Sequence, residues 1–324
     1  MEDVARLAGV SMMTVSRAIR EPAKVAPATR ARVSAAIADL GYVPNLTAGS
    51  LASQRSGIIA AIVPTIDNSI FAETMRGLTA TLTVAGYQVL LGQTAYDENA
   101  EEALVAAFLG RRVDGMLVTG VKHSALTRQR LIKAGIPVVE TWDLTADPID
   151  MVVGFSNHDA GRAIARYLLD RGYLRLGFAG GNDDRTRSRL AGFEAAIRRV
   201  KGASLMRAML PAGTSFRGGR EALGDLLAQD PGLQAVFCSN DAIAVGALME
   251  CRRRGIEVPR DLAIAGFADL DIAAEVTPTL TSVHVGARRI GEESARLLLT
   301  RLAGLAVETP VLDLSFLIMA RESA

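Results

Sequence analysis

The sequence predicts an α/β protein in three parts: a small three-helix head, a short joint, and a larger body of two subdomains built on parallel sheets. Three observations carry this prediction. Up to residue 43 the apolar positions recur every three or four residues, the helix period. From Ile58 onward they gather instead into short continuous runs. Amphipathic stretches with the helix period lie between most of those runs.

In the head, Val4, Leu7 and Ala8 mark a first helix, Val15 and Ile19 a second, and Val33, Ile37 and Leu40 a third. Gly9 supplies the turn after the first. Ser11 is suited to cap the second, because its hydroxyl can accept an otherwise orphaned N–H of the first turn. Pro27 stands where the third begins, its missing N–H harmless there, and Gly41 closes it. Ala5 and Ala8 allow two helices to approach, while Val10 and Val15 fill a small core. The second helix then presents Met12, Met13, Ser16 and Arg17 outward, as a helix-turn-helix must to enter a major groove. A three-helix protein-interaction module fits the same pattern. Residues 1–55 carry seven basic and four acidic groups, leaving 29 and 31 for the rest, a modest hint of a nucleic-acid partner.

In the body, Ile58–Val63, Val89–Leu91, Gly115–Val118, Ile136–Val139 and Met151–Val153 read as strands, as do Leu176–Ala179, Ala235–Cys238, Leu262–Ala265 and Thr281–Val283. Helical patterns at 71–85, 100–111, 160–171, 188–200 and 242–254 separate many of them. Continuous apolar strands alternating with such helices mean parallel sheets covered on both faces. The strands are too many for one compact sheet, so the body divides near Val153. Sheets of this kind take ligands in the crevice at the carboxyl ends of their strands. The candidates directly after strands are Asp67, Asn68, Ile70 and Phe71, then Gln93 and Thr94, Thr119, and Trp142 with Asp143. Phe71 suits the apolar face of a sugar or simple core, and Trp142 suits the cleft, the core or an interface. In the charged stretch 182–189, Arg185 and Arg189 stand four apart on one helical face and could clasp one anion, with Arg187 pointing elsewhere. A solvated helix face is the alternative there. Asn240 and Asp241 suit sugar hydroxyls.

Other functional classes lack their residues. Cys238 and Cys251 make no disulfide framework or zinc motif. Gly180-Gly181 lacks the dinucleotide-binding spacing, and no phosphate loop or serine-nucleophile motif occurs. His123, His158 and His284 are scattered. No enzyme, cofactor or metal is therefore expected. No apolar run reaches the roughly 18 residues of a membrane span. The opening MEDVARLAGV carries acid where a signal peptide carries positive charge. The expectation is a cytoplasmic protein with no membrane partner.

Residues 2–55 resemble the DNA-binding head of the lactose-repressor (LacI–GalR) family. The likeness rests on Asp3-Val-Ala, Ala8-Gly-Val-Ser11, Thr14-Val-Ser-Arg17, Thr29-Arg-Ala-Arg-Val33, Leu40-Gly-Tyr-Val-Pro-Asn45 and Ser50-Leu51. It continues through Phe71-Ala-Glu, Arg112-Val-Asp-Gly-Met, Ala134–Val139, Leu190-Ala-Gly-Phe193, Cys238-Ser-Asn-Asp-Ala242 and Ile264-Ala-Gly-Phe267. The resemblance implies a helix-turn-helix head at 1–43, a hinge helix at 44–56 and a periplasmic-binding-protein-like body at 57–324. One subdomain would span 57–153 plus 285–309, the other 154–284 plus 310–324, with the tail Val311–Met319 in the second sheet. Met12, Met13 and Arg17 fall at base-reading positions, Ser16, Arg20 and Asn45 complete the DNA-facing set, and Leu51 matches a minor-groove wedge. Arg20 and Ala26 depart from the family's usual Asn and Ser, and Gly49 from its usual hinge residue. Arg189 and Arg185 match ligand-contacting positions. Ala268 stands where many sugar-binding relatives carry an acid, and Val236–Asp241 with Glu250-Cys-Arg is similar to gluconate-utilisation repressors.

The expected function is a homodimeric repressor on double-stranded operator DNA. Its effector would be a sugar acid such as D-gluconate acting as inducer. A neutral sugar, a corepressor, or a solute-binding protein of transport are the alternatives.

Overall fold

The computed structural model describes residues 1–43, 55–66, 69–213 and 215–324. They fall into two units, Met1–Ser56 and Gly57–Ala324.

The head contains helices Glu2–Ala8, Met12–Arg20 and Pro27–Asp39, with one tight turn at Pro22–Lys24. Gly9 ends the first helix in the left-handed region, φ 63°. The Ser11 hydroxyl oxygen accepts the Thr14 N–H at 3.1 Å. Pro27 opens the third helix without a side-chain cap from Ala26. Val4, Ala5, Ala8, Val15, Ala18, Val33 and Ala36 form the core. Leu7 and Leu40, expected inside, are 55% and 47% exposed.

The body holds two six-stranded sheets. The first runs Val311–Asp313, Met151–Gly154, Val138–Thr141, Gly115–Thr119, Ile58–Val63, Gln88–Gln93, with every pairing parallel. The second runs Leu317–Met319, Thr281–His284, Ala263–Ala268, Ala235–Cys238, Arg175–Gly181, Ser204–Leu210, and only Leu317–Met319 is antiparallel to its neighbour. The chain passes between sheets after Gly154, after His284, and between Asp313 and Leu317. The last passage corrects the expectation for the tail. Val311–Asp313 pairs with Val152–Gly154 in the first sheet, and only Leu317–Met319 reaches the second.

Three helix pairs on the sheet faces touch backbone to backbone at glycines. A Cβ on Gly77 or Gly291 would stand 2.2 Å from Arg288 O and 1.9 Å from Thr74 O. One on Gly161 or Gly192 would meet Arg189 O at 2.0 Å and His158 O at 1.8 Å. Gly219 and Gly246 repeat the arrangement between helices Phe216–Gln229 and Asp241–Arg254. The second of these contacts positions the helix that carries Arg189.

Candidate functional site

On the head, Val15 and Ala18 turn the inner face of the second helix into the core. The opposite face is left to Met12 and Met13, 54% and 70% exposed, with Arg17 exposed and Ser16 half-buried. A guanidinium there can donate two hydrogen bonds to a guanine edge, and the thioethers offer apolar contact to thymine methyls. The Arg20 side chain, Asn45 and Leu51 lie outside what is described, as do the rest of the expected hinge at 44–54 and Asp67 and Asn68.

In the body, the carboxyl ends of both sheets face a chamber of about 450 Å³, within the roughly 300–1,000 Å³ range of small-molecule sites. Thr94, Tyr96, Thr119, His123 and Asp143 line it from the first subdomain, and Asn182, Asp183 and Arg185 from the second. Behind it is an inner pocket of about 30 Å³, water-sized, bounded by Phe71, Trp142, Arg189, Asn240, Tyr96 and Arg185.

The second subdomain's contribution begins with a helix cap. Asp183 accepts the Thr186 N–H at 3.1 Å and the Thr186 hydroxyl at 2.7 Å. That starts the helix Asp184–Ile197 with its N-terminus at the chamber, where backbone N–H groups favour an anion. Arg185 sits in its first turn and Arg189 one turn later. Arg185 lies 5.4 Å over the Phe71 ring. Arg189 is buried, donates to Asn157 Oδ1 at 2.5 Å and Thr186 Oγ1 at 3.2 Å, and lies 4.2 Å over Phe267. Burial pushes its pKa down to about 10, with Asp183 opposing, so it stays cationic at neutral pH. Its buried Nε has no hydrogen-bond partner among the described residues.

Phe71 is both core and pocket wall. It is buried edge-on against Trp142, ring centroids 5.3 Å apart at 72°. Trp142 takes a left-handed φ of 71° and donates its indole N–H to Thr74 Oγ1 at 3.2 Å, so its outer edge closes the inner pocket. Thr119 faces the chamber while donating to Ile62 O at 3.0 Å. Asp143 also faces it, accepting the Leu144 N–H. Asn240 caps the following helix through Ile243 N–H at 2.9 Å.

Two expected contacts lie elsewhere. Gln93 is exposed, accepts the Ile66 N–H at 3.3 Å and lines neither space. Asp241 is fully buried, accepting Leu270 N–H and Ser282 Oγ–H at 2.7 Å each, with burial raising its pKa to about 7. It ties strand ends together inside the second subdomain. Arg187, expected to point elsewhere, lines the chamber beside Arg185, but its guanidinium is engaged, donating to Asn182 Oδ1 at 2.6 Å and Asp184 Oδ1 at 2.9 Å.

Sequence reasoning missed Tyr96, Lys122 and the role of His123. The His123 ring is buried between Glu101 at 2.8 Å and Glu140 at 3.4 Å. Burial alone would lower its pKa, but the two carboxylates outweigh it and raise it to about 9. Glu140 also accepts the Ile149 N–H at 2.6 Å, so its charge is consumed behind the chamber wall. Lys122 reaches Asp184 of the other subdomain at 3.5 Å. Glu101, His123 and Glu140 come from three separate elements, and no spacing announces such a cluster. Tyr96 lies three residues past its strand, nearer than Phe71 lies to Ile58–Val63, so strand direction was the signal that could have found it.

A larger hollow of about 830 Å³ opens beside the passages between the sheets. Most of its charged groups are paired with one another: Arg76 with Glu73 at 2.9 Å, Arg288 with Glu292 at 3.0 Å, and His284 with Asp269 at 3.1 Å. The smaller chamber offers arginines to a ligand and is the better candidate. Among the described residues no cluster of His, Cys, Asp and Glu is arranged to hold a metal, and no helix is long and apolar enough to cross a membrane.

Comparison with known proteins agrees with both units. Residues 1–45 match "Bacterial regulatory proteins, lacI family" and residues 165–324 match "Periplasmic binding protein-like domain". The chain is 36% identical over 317 residues to the HTH-type transcriptional regulator GntR of Escherichia coli K12, covering 98% of this chain and 96% of that one. It is 38% identical over 328 residues to the regulator GntR of Pseudomonas aeruginosa, covering 100% and 95%. A crystal structure of a LacI-family transcriptional regulator from Silicibacter pomeroyi superposes with a TM-score of 0.93 at 35% identity, covering 99% and 98%.

Proposed function

The chain belongs to the lacI family of bacterial regulatory proteins, as a DNA-binding transcriptional regulator and not an enzyme, and from that premise we propose that it is a cytoplasmic, homodimeric repressor released from its operator by a sugar acid such as D-gluconate. The observation that carries the ligand class is the pair Arg185 and Arg189 bordering one pocket, where the one acid beside them among the described residues, Asp183, is engaged in capping its helix through the Thr186 N–H and hydroxyl. A guanidinium forks onto a carboxylate, which gives the acid a firm orientation. The sugar's hydroxyls would meet Thr119, Asp143 and Asn240, and its apolar face would lie against Phe71.

On the DNA side, Met12, Met13, Ser16 and Arg17 would read base edges, with Arg20, Asn45 and Leu51 adding contacts. Induction follows if the occupied cleft favours a body state in which the paired heads no longer grip the duplex, since a ligand shifts an equilibrium only through differential affinity. Asp143 and Asp183 in the same chamber favour hydroxyls and support a neutral sugar as the second reading.

A mobility-shift assay on DNA upstream of the protein's own gene, run with D-gluconate, other aldonates and neutral sugars, tests the proposal. Release by an aldonate alone is expected. Release by neutral sugars alone would refute the ligand class, and tighter binding with gluconate would reverse its sign.

A further inference from the structure

We propose that Asn157 is a positioning residue of the effector site, its side-chain amide fixing the Arg189 guanidinium against the Trp142 backbone of the opposite subdomain, so that the arginine meets a ligand carboxylate already in place. The inference rests on the reading of the cleft as a sugar-acid site. Asn157 itself lines neither the chamber nor the inner pocket.

Asn157 opens the helix Asn157–Asp170, just after the chain first passes from one sheet to the other. Its side chain is fully buried, where both ends of an amide need partners. It finds one in each subdomain. Nδ2 donates to Trp142 O at 2.8 Å, and Oδ1 accepts from the Arg189 guanidinium at 2.5 Å. Turned over, the amide would set N–H against guanidinium N–H and oxygen against carbonyl oxygen, so its neighbours admit one orientation. An aspartate would lose the donor and a leucine both groups.

The carbonyl that Asn157 grips has a fixed direction. Trp142 adopts left-handed backbone, φ 71°, which is uncommon for a bulky residue and persists where surrounding bonds over-determine it. Its backbone N–H donates to Val153 O at 3.3 Å and its indole N–H to Thr74 Oγ1 at 3.2 Å. The ring packs edge-on against Phe71 and Phe155, centroids 5.3 and 6.0 Å apart. Asn157 passes this rigidity on to Arg189.

The way Arg189 is held suits an anion. Among the described residues it donates to Asn157 and Thr186, both neutral, and forms no salt bridge. Asp183, the acid bordering the same pocket, is linked to it through the Thr186 hydroxyl, which donates to Asp183 at 2.7 Å and accepts from Arg189 at 3.2 Å. An amide oxygen orders the guanidinium without the ion pair that a carboxylate at 157 would form. With no acceptor there, a long side chain would have to be ordered at the moment of binding, which costs affinity.

The test uses the full-length protein, with Asn157→Ala to remove the hold and the near-isosteric Asn157→Asp to replace it by an ion pair. Calorimetric titration with D-gluconate is combined with ¹⁵N NMR of the Arg189 guanidinium in the ligand-free proteins, assigned by its loss in Arg189→Lys. The gluconate complex of N157A is expected to be weaker by about tenfold or more, the worth of one hydrogen bond to a charged group, with faster guanidinium rotation before any ligand is added. N157D is expected to bind gluconate more weakly still, although its guanidinium is held as in wild type. An asparagine that merely fills space would give the opposite order, the closer isostere binding better. That order, or a guanidinium signal identical in wild type and N157A, overturns the role of Asn157 while leaving the sugar-acid reading intact. Should N157A not fold, N157D decides alone, and a loss of less than about tenfold overturns the role. If wild type binds no aldonate, the sugar-acid reading falls and this inference with it.

Discussion

His123 and Asp241 are each buried ionisable groups, and each has a job that sequence alone did not disclose. The charge on His123 is held between Glu101 and Glu140, so its pKa stands near 9 against about 6.5 in an unfolded chain. A group raised in this way contributes its full stability below pH 6.5 and loses it as pH rises through 9. The stability gap between wild type and His123→Gln is therefore expected to be widest just below pH 6.5 and to narrow by roughly 3 kcal/mol by pH 10. Denaturant melts at four or five pH values would check this. Asp241 satisfies one backbone N–H and one hydroxyl inside the second subdomain. Asp241→Ala leaves both unpaired and should cost about 1–3 kcal/mol of stability while changing gluconate affinity less than twofold. A large loss of binding with normal stability would return Asp241 to the ligand site. Residues directly after strands, Phe71, Thr119, Trp142 and Asp143, were legible because chain direction alone carries them to the cleft. Asp241 was not: one position past Asn240, the helix turns its side chain to the interior.

The helices that position Arg189 depend on a contact without side chains. Gly161 and Gly192 let Asn157–Asp170 and Asp184–Ile197 meet so closely that a Cβ at either would overlap a backbone carbonyl. Gly161→Ala must push back the backbone of Arg189 itself. It is expected to cost about 1–3 kcal/mol and to weaken gluconate binding severalfold, seen in paired melting and titration experiments. Alanine at Gly172, which meets no atom within 4 Å but has φ 89°, should affect stability alone. Most strands and helices were visible as changes of period, but two elements were obscured by their positions. Ser204–Leu210 is an edge strand with Arg207 in its middle, so its apolar run is interrupted. The tail reads as one strand because Leu312, Leu314, Phe316 and Ile318 all turn toward the core, keeping a period of two across both sheets. The break is a left-handed Ser315, φ 61°, whose N–H is taken by Asp313 at 2.7 Å. A serine gives no warning of that.

Across the body as a whole, the two subdomains are joined at the mouth of the cleft by a charged contact. Lys122 and Asp184 bridge the subdomains at 3.5 Å, both well exposed, so the pair is worth at most about 1 kcal/mol in moderate salt. Lys122→Glu replaces attraction with repulsion at the mouth of the cleft. It should weaken effector binding a few-fold at low ionic strength, with the difference vanishing near 1 M salt. An effect independent of salt would mean that Lys122 touches the ligand directly. The central claim is that occupancy of this cleft governs the hold on DNA, and fluorescence anisotropy with a labelled operator tests it most directly. Wild type and Arg185→Ala are titrated with and without saturating D-gluconate. Gluconate should weaken operator binding by wild type at least tenfold, while R185A binds the operator equally well and responds only at much higher gluconate. Equal responses in the two proteins, or none in either, would contradict the account.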